Sequence, residues 1–140
     1  MRRAKWILMV SLLAVLLAGI TLGITTPSQY EARVSLRQAE YDGDRLFHSP
    51  TLGKNALTCD TCHVDGGRFS HRLGSHRLPS LLFAQQAFPK VDSTGEVTTL
   101  EQQINQCLVR YMRARALAPN NRKLGLLDLY IRHLSRFHER

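Results

Sequence analysis

Nineteen residues from Trp6 to Ile24 pass without a charge, and Arg2, Arg3 and Lys5 stand immediately before them. As a helix this run spans roughly 28 Å, close to the thickness of a bilayer core. The basic flank belongs on the cytoplasmic side, so the rest of the chain is expected on the far, periplasmic side. The pattern thus divides the chain into a signal peptide or membrane anchor, residues 1–27, and a domain, residues 28–140. The apolar run is long, and Thr25 to Gln29 offers no small-residue cleavage site, which favours an uncleaved inner-membrane anchor.

Downstream the apolar positions recur at helical spacing. Ser28 to Glu40 is a polar, helical lead-in that continues through Tyr41–Phe47, and Ser49–Pro50 ends it. Thr51 to Leu57 is a loop. From Gly66 to Pro89 the composition turns to Gly, Ser, Arg, His and Pro, which reads as irregular loop with one short helical turn at Leu81–Ala87. Thr98 and Glu101 have capping-box spacing, and Leu100, Ile104, Leu108 and Tyr111 then mark an amphipathic helix to about Arg115. Asn120 and Asn121 can cap a last helix whose apolar stripe is Leu127, Tyr130, Ile131, Leu134 and Phe137. No strand alternation of useful length and no internal repeat stand out. The expected fold class is all-α.

A domain of about 115 residues has a thin core, and a large buried prosthetic group would supply missing apolar contact. The formal charge is +8; with the three cations of the leading segment removed, about +5 remains for the domain. Such a surface suits anionic lipid, an acidic redox partner or a small anion. Nucleic acid is an improbable partner outside the cytoplasm. Three cysteines leave one over if two are used together.

The two that belong together stand in Cys59-Asp60-Thr61-Cys62-His63, the C-x-x-C-H sequence of covalent haem attachment. Two thiols at this spacing each reach one porphyrin vinyl group, and the adjacent imidazole is carried over the iron. A zinc site would need two further ligands, and the sequence has no second Cys-x-x-Cys. A thioredoxin-type pair would follow a strand, which the helical pattern lacks. One motif means one haem c, with His63 as proximal ligand.

The sixth ligand decides the kind of cytochrome. Cys107, Met112, another histidine or an open site are the candidates. With Leu100, Ile104, Leu108 and Tyr111 defining the inner face, Cys107 lies about 50° from its centre and Met112 about 90°. Cys107 faces inward and Met112 is marginal. A lone buried cysteine is equally an ordinary small core residue.

The stretch from Gly95 to Met112, with the closing Leu129–Ser135, resembles the region around the haem-ligating cysteine of thiosulfate dehydrogenases and of the haem subunit of L-cysteine S-thiosulfotransferase. The similarity runs from Tyr41 to Phe137 and matches one haem domain of those enzymes. It implies a small class I-like cytochrome c fold, in which Gly43 and Phe47 would cross Tyr130, and it implies Cys107 as the distal iron ligand. Two departures stand out. Arg113–Ala114 replaces an Asn-Gly-like turn, and the chain ends where a second haem domain would begin. Basic residues around the thiolate belong to catalysis in those enzymes, and Arg68, Arg72 and Arg77 fall in a comparable region.

The expectation is an electron-transfer cytochrome of sulfur-compound oxidation with His/Cys ligation, passing electrons to a partner cytochrome or haem subunit. One alternative is a thiosulfate-oxidising subunit in which Cys107 is catalytic and acts on a small sulfur oxyanion. Another is a haem-based sensor whose distal bond breaks.

Overall fold

The computed structural model describes residues 27–136. The segment Trp6–Ile24 and the side chain of Phe137 lie outside them. Among the described residues no helix is long and apolar enough to cross a membrane. The chain divides into two compact units, Met1–Ser35 and Leu36–Arg140. Of the former, only the start of the first helix is described; the other elements belong to the latter.

Helix α1, Pro27–Phe47, buries Glu40, Gly43 and Phe47 along one line. It stops before Ser49–Pro50, because a residue preceding proline is pushed out of the helical region. Ser49 is extended there, and its hydroxyl accepts from the Thr51 N–H to start a 3₁₀ turn at Pro50–Leu52. The single turn α2 spans Cys59–Cys62, and α3 spans Ala84–Ala87. Helix α4, Leu100–Arg110, buries Leu100, Ile104 and Leu108. Helix α5, Arg122–Arg136, buries Leu124, Leu127, Tyr130, Ile131, Leu134 and Ser135. Both α3 and α4 pack on α5, which is the central element of the core.

The crossing of α1 and α5 rests on Gly43. A Cβ there would lie 2.2 Å from the Leu126 carbonyl oxygen and 2.8 Å from the Tyr130 Cβ. The backbones therefore touch where only glycine fits, and Phe47 meets the Tyr130 ring at 5.2 Å between centroids. A second tie is ionic. Glu40, buried on α1, pairs with His133 at 2.9 Å and with Arg136, both on α5.

The structure corrects the sequence reading in four places. The domain is mostly helical rather than all-α, because the Gly66–Pro89 stretch and its sequel contain two antiparallel ribbons. The first joins β1, His71–Leu73, to β2, His76–Leu78; the second joins β3, Lys90–Val91, to β4, Val97–Thr98. Gly74, at φ +60, takes the first turn position between β1 and β2, as a Gly-first hairpin turn requires. The second is the short helical turn expected at Leu81–Ala87, which spans only Ala84–Ala87; the triplet His-Arg-Leu on either side of Gly74–Ser75 marks the two strands of the first ribbon.

The cap of α4 is the third correction. Thr98 is held in β4, so the capping box moves one residue on. The Thr99 hydroxyl accepts from the Gln102 N–H and the Gln102 amide oxygen accepts from the Thr99 N–H. The fourth is the end of α4, which stops at Arg110 rather than near Arg115. Tyr111 consequently points outward, 55% exposed, and Met112 enters the core at 4%. Asn121 does cap α5, its side-chain oxygen accepting from the Lys123 N–H at 2.9 Å.

Candidate functional site

Thr58 and Thr61 build the frame around the first two cysteines. The Thr58 hydroxyl accepts from the Thr61 N–H, and the Thr61 hydroxyl accepts from the Thr58 N–H. This reciprocal cap closes one helical turn, which sets Cys59 and Cys62 three residues apart on one side. His63 ends the turn, its N–H donating to the Cys59 carbonyl at 2.9 Å. The Asp60 carboxylate accepts from the Gly66 N–H at 2.7 Å and ties the turn to the following loop.

That loop is braced from behind by α5. The Tyr130 hydroxyl donates to the Gly66 carbonyl at 2.9 Å, in a buried contact. Gly66 itself is left-handed at φ +64, and a Cβ there would lie 2.5 Å from the same hydroxyl. Burial, helped by the nearby Asp44 carboxylate, pushes the Tyr130 phenol well above its ordinary range, so it remains a donor. Ser135, fully buried, sits 3.4 Å from the Leu81 carbonyl and accepts from the Gln85 N–H. Sequence periodicity places Tyr130 on the inner face of α5 but does not single out Ser135, and the Gly66 and Leu81 carbonyls beside their hydroxyls lie outside that helix.

Cys107 lies on α4, partly buried, and the amide of Gln103 donates to its sulfur at 3.8 Å. Burial first, and the charge of a thiolate at Cys107 second, push the Cys59 thiol up to about 12. Cys62 is raised by the same two causes in the same order. The Cys107 sulfur is therefore near enough to act electrostatically on both attachment cysteines. All three thiols are free of disulfides. The structure brings Cys59, Cys62 and Cys107 together.

His63 is substantially buried. Its Nδ1 has no hydrogen bond of ordinary geometry. Burial lowers its pKa, and the Pro79 backbone beside the ring opposes that shift in part. The imidazole is thereby kept neutral, the form in which it ligates iron. Two thiols on one helical turn, a third whose charge acts on both, and a neutral, half-buried imidazole fit a covalently attached haem. Among the described residues no group of three or more His, Cys, Asp or Glu side chains is placed to hold a bare metal ion.

Met112 stands elsewhere. It packs beneath the loop that follows the 3₁₀ turn, with the Lys54 N–H donating to its carbonyl at 2.9 Å and Gly53 against its Cβ. Of the three arginines singled out by sequence, Arg68 donates to the Asp65 carbonyl and borders a cavity of about 240 Å³ shared with Leu82, His133 and Leu134. Arg72 and Arg77 face each other across the first ribbon.

Residues 42–139 match the model of the SoxA/TsdA cytochrome c domain. The chain belongs to that family. As a SoxA/TsdA cytochrome c domain it carries haem c, covalently bound. Among solved structures it is similar to the thiosulfate dehydrogenase TsdBA of Marichromatium purpuratum in its as-isolated form, with a TM-score of 0.61 at 24% identity. The match covers 71% of this chain but 23% of that one, so the resemblance is to a single domain of a much longer protein. No curated protein sequence matches the chain.

Proposed function

We propose that the chain is an exported, membrane-tethered electron carrier of sulfur-compound oxidation. Its haem is attached through Cys59 and Cys62, each thiol adding across one vinyl group, with His63 as proximal ligand and Cys107 as distal ligand. The observation that carries the ligand assignment is the convergence of the Cys107 sulfur on the attachment cysteines while Met112 is packed as core. The pathway rests on the family and on the similarity to a thiosulfate dehydrogenase.

Bound haem c supplies a one-electron couple. The protein's part is to fix its ligands and exclude water. Thiolate ligation donates electron density and lowers the potential, whereas thioether ligation raises it. The group that the structure puts on the Cys107 sulfur is the neutral Gln103 amide, which suits a permanent ligand better than a thiolate poised to react with an anion.

The test is spectroscopic. The purified ferric protein is expected to be low-spin with a sulfur-to-iron charge-transfer band. Cys107→Met should raise the potential by a sizeable part of the roughly 0.8 V that axial ligands span, while Met112→Leu leaves the spectrum unchanged. If Met112→Leu perturbs the iron and Cys107→Met does not, the ligand is Met112 and the reading is wrong.

A further inference from the structure

From Gly66 to Val91 the sequence contains no acidic residue, yet it carries Arg68, Arg72, Arg77 and Lys90 together with His71 and His76. The first ribbon concentrates this charge. Its register sets Arg72 directly opposite Arg77, and among the described residues neither has an ion-pair partner. Two like charges in directly opposed positions destabilise a ribbon. Here no neighbouring carboxylate relieves them.

Alternation along the short strands puts Arg72 and Arg77 on one face and His71, Leu73, His76 and Leu78 on the other. The ribbon and its approach also carry two solvent-facing apolar side chains, Phe69 at 63% and Leu73 at 51% exposed. An exposed arginine pair with an exposed aromatic residue three positions ahead of its first member has the composition of a protein-binding patch rather than of an inert surface.

The base of the ribbon meets the haem-binding loop. The Leu81 N–H donates to the Gly67 carbonyl at 2.7 Å, and the Ser80 hydroxyl donates to the Arg68 carbonyl at 2.8 Å. Pro79, which ends the ribbon, is the residue whose backbone acts on His63. The ribbon is therefore tied at its base to the loop that follows His63.

We propose that the β1–β2 ribbon is the docking surface for an acidic one-electron redox protein. The inference rests on the carrier reading above and names its partner surface. Arg72 and Arg77 steer an anionic face to their side of the ribbon, beside the exposed Phe69 of its approach. A docked partner would give up one electron and be oxidised as the haem that Cys59, Cys62 and His63 would hold is reduced. A patch this small suits a brief encounter, as electron-transfer complexes require.

An acidic plant-type ferredoxin serves as probe, with the full-length, haem-loaded chain. Calorimetry at low salt is expected to show binding that weakens steeply as salt rises. Arg72→Gln with Arg77→Gln should weaken it about tenfold, in line with the smaller end of electrostatic steering effects. Arg72→Lys with Arg77→Lys should retain most of it, and Arg33→Gln with Arg37→Gln on α1 should retain it fully. In stopped flow the glutamine pair should slow haem reduction by reduced ferredoxin about tenfold, while reduction by dithionite keeps its rate and shows the haem site intact. Undiminished binding by the glutamine pair overturns the proposal. So does dependence on the arginines for anionic phosphatidylglycerol vesicles but not for ferredoxin, which would make the ribbon a lipid contact. If binding needs the arginines and no electron crosses, the carrier reading fails and the ribbon stands as a docking surface.

Discussion

Tyr130 does two jobs with one side chain. Its ring fills the crossing of α1 and α5 against Phe47, and its hydroxyl holds the Gly66 carbonyl of the haem-binding loop. Tyr130→Phe separates them. The ring contact survives, but a buried carbonyl loses its donor, which costs about 1–2 kcal/mol. Urea denaturation of the haem-loaded protein should show a lower midpoint at unchanged haem content; an unchanged midpoint would mean that water replaces the hydroxyl. At this scale the sequence was a good guide wherever covalent spacing dictates position. The C-x-x-C-H run requires no fold to be recognised, and Gly43, Phe47 and Tyr130 meet as the resemblance implied. What it could not reveal are partners set by loop conformation, such as Asp60 on Gly66 or Ser135 on Leu81.

At the scale of elements, helices were legible and their ends were not. Periodicity located α4 and α5, because burying an apolar stripe is what stabilises an amphipathic helix. It extended α4 too far, and with it the helical-wheel reasoning that put Tyr111 inside and Met112 at the margin. The chain turns after Arg110, and Arg113 takes a left-handed backbone at φ +53. A long side chain in that conformation is strained by about 1–2 kcal/mol. Arg113→Asn should recover part of that, about 0.5 kcal/mol or more, seen as a higher denaturation midpoint with the same spectrum. A lower midpoint would show that Arg113 makes a compensating contact. The ribbons escaped notice because two or three residues per strand give no alternation to detect. The paired His-Arg-Leu triplets around Gly74–Ser75 were the available signal.

For the whole molecule, the order of the chain differs from the order of its core. The haem-binding turn is complete at His63, but the braces behind its loop, Tyr130 and Ser135, belong to α5, which begins at Arg122. About sixty residues separate them. Synthesised at roughly 5–20 residues per second, they leave the attachment cysteines uncovered for several seconds. The braces thus act as a clock on maturation: haem must be joined while the loop is still open at the back, since the finished fold packs Cys59, partly buried, against the core. A haem-attachment system supplied with newly made chains should load them well, and should load chains already folded without haem poorly. Chains shortened before Arg122 should accept haem whenever it is offered, with the yield read by haem stain on denaturing gels. Equal loading of folded and nascent full-length chains would remove the clock. Otherwise a late supply of haem leaves behind a closed protein that repair must first unfold.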